Sequence, residues 1–291
     1  MTARRRVAEV TGLRAAAETA NGARRPVAVH RHGDDLTVEA PLNLVIDERV
    51  VATLMRTPGH DLELAAGWLT VESGVRGPAD LSGLRQCRTD DDLDLRADDP
   101  NVGRGVDQVH LKLAPGVTAP EPRAWVTGSA CGVCSVDVLD LGLLRRAEPH
   151  SPGWSVPADV LADLPDRVRG QQRTFDRTGS VHAAALATRA GDLLVVREDV
   201  GRHNAVDKVN GWALLDDRLP GTDLLLVVSG RVSFEIVQKA VAASVAGIVA
   251  VSGPSDLAVD LAREHGLLLA GMVRGRRLNL YAGDELVTGL A

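Results

Sequence analysis

Apolar and polar positions change period along the chain, and each change predicts an element. Up to about residue 26 no period is sustained, so residues 1–26 are expected to form a mobile N-terminal arm or a weakly docked first strand. From Leu36 the pattern alternates. Residues 36–40, 43–47 and 50–55 are expected to be strands of a small meander, with breaks at Pro41 and at Asp47-Glu48-Arg49. Pro58-Gly59-His60-Asp61 has the form of a helix start, Leu62, Leu64, Ala65, Ala66, Trp68 and Leu69 give it an apolar face, and Gly74 supplies the stop. A strand is expected over 106–113, and Pro115-Gly116 through Pro122 then break the chain.

Beyond Pro152 and Pro157 a helix is expected over 157–175, interrupted at Pro165. Strands and helices then take turns. Strands are expected at 181–188, 192–197, 224–228, 248–251, 267–273 and 278–282, and helices at 204–215, 234–246 and 255–264. This alternation predicts an α/β fold with a three-layer α/β/α core and much of its sheet parallel, preceded by a smaller, mostly β lobe. The expected division is an arm over 1–26, an α+β lobe over 27–122 and a three-layer domain over 123–291. No internal repeat occurs.

Composition sharpens this. Aromatic residues make up only 2% of 291, against 45% hydrophobic overall, so the core must be aliphatic, which suits helices packed on a sheet. The net charge of −6 argues against nonspecific nucleic-acid binding, although arginine greatly outnumbers lysine and a local anion site remains open. Arg4-Arg5-Arg6 is not followed by the apolar run of a signal peptide, and no stretch of about 18 apolar residues exists to span a bilayer. A cytoplasmic protein without a membrane partner is expected, and three cysteines agree with a reducing compartment. The six aspartates over 90–100 predict a solvated loop, because they lack the ligand spacing, turn glycine and terminal glutamate of a calcium loop.

The stretch Gly128-Ser129-Ala130-Cys131-Gly132-Val133-Cys134 concentrates candidate chemistry. Two thiols at this spacing can form a disulfide, bind a soft metal, or make one reactive thiolate tuned by its neighbour. Small flanking residues favour the last use. The apolar pattern from Val133 to Leu144 predicts a helix behind the thiols, whose free N–H groups would lower a thiol pKa. A zinc site would combine Cys131 and Cys134 with His182 or His203, the two histidines beside glycine turns. The deaminase pattern also needs a His-x-Glu glutamate, and Ala183-Ala184 stand after His182 instead, so no metal is expected.

Three loops qualify as ligand sites at strand ends and helix starts. They are 197–204, with Arg202 and His203; 229–233, with Ser229 and Arg231; and 271–277, with Met272, Val273, Arg274, Gly275, Arg276 and Arg277. Three arginines on one turn of an acidic chain point to an anion larger than a single phosphate, such as a pyrophosphate-linked cofactor. Neither a P-loop nor a Gly-x-Gly-x-x-Gly is present.

Several phrases in order carry a resemblance: Ala130-Cys131-Gly132-Val133-Cys134, Gly179-Ser180-Val181-His182-Ala183-Ala184, Glu198-Asp199-Val200-Gly201-Arg202-His203-Asn204-Ala205-Val206-Asp207-Lys208, Ser229-Gly230-Arg231-Val232-Ser233-Phe234-Glu235 and Val273-Arg274-Gly275-Arg276. Together they resemble the formate dehydrogenase accessory sulfurtransferase family. The resemblance implies a cytidine deaminase-like core and a sulfur carrier. Such a carrier takes a persulfide from a cysteine desulfurase on Cys131, with Cys134 as an auxiliary thiol. It passes sulfur to the molybdenum of the bis-molybdopterin guanine dinucleotide cofactor, its substrate, before formate dehydrogenase receives that cofactor. The cofactor loop maps onto 272–277, assisted by Arg202, His203, Ser229 and Arg231, and a homodimer is expected for a cofactor of two lobes. Two rivals remain: a thiol-disulfide oxidoreductase, and a guanine-nucleotide-binding regulator with structural cysteines.

Overall fold

A computed structural model of the chain describes residues 5–14, 28–87, 106–122, 126–127 and 153–290. Cys131, Cys134, the helix expected behind them and the acidic run 90–100 lie outside the described residues. Within the expected arm, β1 (Arg5–Arg14) forms a strand that pairs antiparallel with β2 (Ala28–Thr37).

The meander is present as β3 (Ala40–Ile46) and β4 (Arg49–Arg56), joined by Asp47 and Glu48, both at positive φ as a two-residue hairpin turn demands. Pro41 does not break the chain as expected. It pairs with Met55 of β4, and on its other side pairing with the strand over residues 107–113 begins only at Leu42, so its missing N–H costs no bond on that side. The helix α1 (Asp61–Glu72) follows, then β5 (Leu81–Cys87), β6 (Asp107–Leu113) and β7 (Val126–Thr127), in a sheet ordered β5-β6-β3-β4-β7. Buried Arg56 pins this sheet to α1 by donating to Asp61 at 3.2 and 2.9 Å and to Asp107 at 2.6 Å.

After β8 (Val156–Pro157), the helix expected to break at Pro165 runs unbroken as α2 (Ala158–Arg169). Proline forfeits the bond to the Leu161 carbonyl, but buried Leu161, Leu164 and Val168 hold both halves on the sheet beneath. A separate short helix α3 (Arg173–Thr178) replaces the expected end of that segment. Then come β9 (His182–Thr188), β10 (Leu193–Asp199), α4 (Arg202–Leu215), β11 (Leu224–Val228), α5 (Phe234–Ala242), β12 (Gly247–Ala250), α6 (Asp256–Glu264), β13 (Leu268–Arg274) and β14 (Arg277–Ala282). The helix α5 stops short of residue 246 because Ser244 turns left-handed at φ 52°.

These strands form one sheet ordered β10-β9-β11-β12-β13-β14. Only β11/β12 and β12/β13 pair in parallel, so the sheet is mixed rather than mostly parallel. The hairpins β9-β10 and β13-β14 supply the antiparallel edges. Alternate residues serve two cores. Ala184, Leu186, Leu226 and Ile248 face α4, α5 and α1, whereas Ala183, Ala185, Val227 and Val249 face α2. Helices therefore cover both faces, and the alanines of β9 let them come close.

The first core runs continuously from Leu42, Leu44 and Leu64 to Val206 and Leu226, so α1 is shared packing between the N-terminal sheet and α4. Close approach of the two helices requires glycine: a Cβ on Gly67 would lie 1.8 Å from the Asp207 carbonyl oxygen, and one on Gly211 would lie 1.8 Å from that of Glu63.

Candidate functional site

Because β10, β11, β12 and β13 run the same way, all three candidate loops leave the sheet at one edge, the carboxyl end where ligands of open α/β sheets bind. The starts of β9, at His182, and of β14, at Arg277, return to that edge.

Most polar residues of the first loop are structural. Asp199, fully buried, accepts from the Thr57 N–H (3.1 Å), the Gly201 N–H (2.8 Å), Asn204 Nδ2 (3.0 Å) and Lys208 Nζ (2.6 Å). Lys208 also donates to the Thr57 carbonyl at 2.9 Å and the Glu198 carbonyl at 3.3 Å. The Glu198 carboxylate accepts from the Thr174 and Phe175 N–H groups, each at 2.8 Å, and so fixes α3 against β10. What remains for a ligand is Arg202 and His203, at the start of α4.

His203 Nε2 lies 3.0 Å from Glu235 Oε2, which also accepts from Ser233 Oγ at 2.9 Å. Burial pushes the Glu235 carboxyl up, but the His203 and Ser233 hydrogen bonds and the charges of His203 and Lys239 outweigh it and hold the group below its ordinary value. Glu235 Oε1 and Arg202 Nε are buried and have no hydrogen-bond partner among the described residues.

Ser229, in the second loop, is clamped to the start of β9: its N–H donates to the Ala183 carbonyl at 3.0 Å, and its Oγ accepts from the Ala183 N–H at 2.9 Å. A Cβ on Gly230 would meet His182 Nδ1 at 3.3 Å and Arg202 Cδ at 3.7 Å, so this glycine lets the two approach. Burial first, and then the charges of Arg202, His203 and Arg231, lower the His182 pKa. The imidazole is therefore neutral at pH 7 and can either donate or accept a hydrogen bond.

The third loop is a hairpin turn, not an open loop. Arg274 pairs with Arg277 around Gly275 (φ 54°) and Arg276, a register shift separates Gly271 from Arg274, and Met272 takes φ 55°. Val273 is buried, whereas Met272, Arg274, Gly275, Arg276 and Arg277 are exposed.

A cavity of about 660 Å³ lies between this edge and α2–α3. The sheet contributes Val181, His182, Val227, Val228, Ser229, Val251, Val273, Arg274 and Gly275, and the helical wall contributes Pro165, Asp166, Val168, Arg169, Gln172 and Phe175. Of the expected site residues, Ser229, Val273, Arg274 and Gly275 meet in the cavity. Arg202, His203 and Arg231 lie near His182 without lining it, and Met272, Arg276 and Arg277 stand outside it. Asp166, Gln172 and Phe175 line the cavity without having been sequence candidates, since nothing in a single helical segment indicates what it will face.

A model of the FdhD/NarQ family matches residues 37–288. The chain belongs to that family. Similar FdhD/NarQ proteins include "Sulfur carrier protein FdhD" of Streptomyces coelicolor, 46% identical over 90% of this chain and 92% of its own. The proteins of the same name from Nocardia farcinica (42% identical; 97% of this chain and 94% of that one) and Mycobacterium tuberculosis (41%; 88% and 92%) are further examples. A solved formate dehydrogenase accessory protein from Desulfotalea psychrophila shares the fold, with a TM-score of 0.69 at 20% identity over 97% of this chain and 99% of that one. Membership agrees with the resemblance carried by the Cys131 and Gly201-Arg202-His203-Asn204 phrases. No helix among the described residues is long and apolar enough to cross a membrane.

Proposed function

We propose that this FdhD/NarQ chain is a sulfur carrier in formate dehydrogenase maturation, with Cys131 as the sulfur-bearing group and Cys134 as an auxiliary thiol. The Cys131 thiolate attacks the sulfane sulfur of a cysteine desulfurase persulfide. A sulfur–sulfur bond forms on Cys131 while the bond to the donor cysteine breaks, and the donor leaves as a thiolate, so no outside oxidant is needed. Sulfur then passes to the molybdenum of bis-molybdopterin guanine dinucleotide, bound as substrate by residues 272–277 with Arg202, His203, Ser229 and Arg231. A cytoplasmic homodimer that spans the two lobes of the cofactor belongs to the same reading.

One observation carries it: the three candidate loops, with Arg202, Arg231 and Arg274, leave the sheet at one edge, beside a cavity of about 660 Å³ large enough for a nucleotide. The names of the relatives agree. Mass spectrometry after incubation with a desulfurase and cysteine should show added sulfur in the parent and in Cys134→Ala but not in Cys131→Ala. Arg274→Ala with Arg276→Ala should weaken guanine-nucleotide binding more than tenfold, since each charged phosphate contact is worth about 1.5–3 kcal/mol, and leave sulfur loading intact. Sulfur persisting in Cys131→Ala would reverse the thiol assignment, and undiminished nucleotide binding would reduce the arginines to a solvated turn.

A further inference from the structure

We propose that His182 is a proton-binding residue of the anion site at the carboxyl edge: when a diphosphate group settles against Arg202, Arg231 and Arg274, the imidazole takes up a proton and joins the grip. This rests on the function proposed above and adds which side chain couples cofactor binding to pH.

His182 stands where the cavity meets the cations behind it. It opens β9 opposite Asp199 at the end of β10, is half-buried, and lines the cavity. Across Gly230 it abuts Arg202, since a Cβ on that glycine would meet His182 Cε1 at 3.5 Å and Arg202 Cδ at 3.7 Å. Arg202 Nε is buried and has no hydrogen-bond partner among the described residues. A buried guanidinium N–H is a donor that an anion satisfies with a charge-assisted bond. The nearby carboxylates do not serve this role, because Glu235 is held at 3.0 Å by His203 and Asp199 at 2.6 Å by Lys208.

The charges around His182 are unbalanced. Burial disfavours its charged form first. Arg202 and His203 from α4, and Arg231 from the loop after β11, repel a proton further, with Asp199 of β10 pulling the other way. Across the cavity stand Arg274 at the end of β13, Asp166 on α2, and Arg169, which is bonded to Asp176 at 2.6 Å. A bound diphosphate brings negative charge into this space and cancels the repulsion. Its oxygens also accept from an imidazolium, both of whose nitrogens donate. Protonation and binding therefore strengthen each other, and by the same factor.

The test is calorimetric titration of the full chain with GDP, and with inorganic pyrophosphate, in buffers of unlike ionisation enthalpy, whose comparison counts the protons exchanged. Relative to His182→Gln, the parent should take up about half a proton or more at pH 7, and its affinity should fall about five- to tenfold further between pH 6 and pH 8. GDP and pyrophosphate titrate over this range themselves, but that contribution is common to both proteins, so the difference belongs to His182. Glutamine keeps a donor and an acceptor at the position and never titrates. A second measurement needs no variant: in an NMR titration of the parent, GDP should raise the His182 midpoint, whereas guanosine, which brings no phosphate, should not. Equal proton uptake by parent and variant, a midpoint that GDP leaves in place, or an equal rise with guanosine overturns the proposal. A parent that binds neither GDP nor pyrophosphate sinks the cofactor reading instead, and the two failures are thereby told apart.

Discussion

Replacing Lys208 by methionine should show how the core holds the site. Its side chain is 1% exposed and its ammonium serves three acceptors: Asp199 at 2.6 Å, the Thr57 carbonyl at 2.9 Å and the Glu198 carbonyl at 3.3 Å. Methionine fills similar space but leaves a fully buried carboxylate without its cation, a loss of about 3–5 kcal/mol. Unfolding entropy near 60 °C is about 2.1 cal/mol/K per residue. Over 291 residues that is about 0.6 kcal/mol/K, so a loss of 4 kcal/mol lowers Tm by about 7 °C. Asp199 also accepts from the Gly201 N–H and from Asn204, so the start of α4 should loosen and carry Arg202 and His203 with it. Thermal and urea unfolding measure the loss. Adding Asp199→Asn to Lys208→Met removes the stranded charge, and the pair should recover at least about 1 kcal/mol relative to the sum of the singles. A loss below 1 kcal/mol in the single variant, or strict additivity in the double, would refute the claim that charge compensation at Asp199 organises the loop.

Two further outcomes follow from particular contacts. Gly67→Ala would place a Cβ 1.8 Å from the Asp207 carbonyl oxygen and 2.8 Å from the Gly211 nitrogen, both backbone, so α1 and α4 must separate. A loss of about 3 kcal/mol is expected in urea unfolding, and a variant as stable as the parent would show that the helices yield freely. Burial, then Arg202, His203 and Arg231, hold His182 below its ordinary value of 6.5, with Asp199 pulling the other way. Its stability contribution is therefore complete above pH 6.5 and is lost as pH falls through the lower folded value, because the unfolded chain takes up the proton first. Removing one repelling charge by Arg231→Gln should raise the His182 midpoint in an NMR titration, and a fixed or lower midpoint counts against this account.

The chain by itself determined the elements and where chemistry collects. Periods of two and 3.6 place β11 at Leu224–Val228 and come within two residues of α1, α4, β6, β13 and β14, because a strand or helix must present one apolar face to the core whatever lies opposite. The clustering of glycine with arginine and histidine marked the three loops, since turn chemistry and anion-binding donors are local properties. Tertiary structure decided the rest. Pro165 stays inside α2 because packing on the sheet outweighs local preference, and Pro41 stays inside β3 because its pairing with β6 starts only at Leu42, and neither reason is written at the proline. Strand direction was equally hidden, as β9 and β14 carry the same apolar residues whichever way they run. The site shows the same division. Arg202, His203, Ser229, Arg231 and Arg274 were legible as candidates, but only the packing of α2 and α3 on the sheet brings Gln172 and Asp166 into one cavity with Ser229, and no pattern within a helix records what its far side will face.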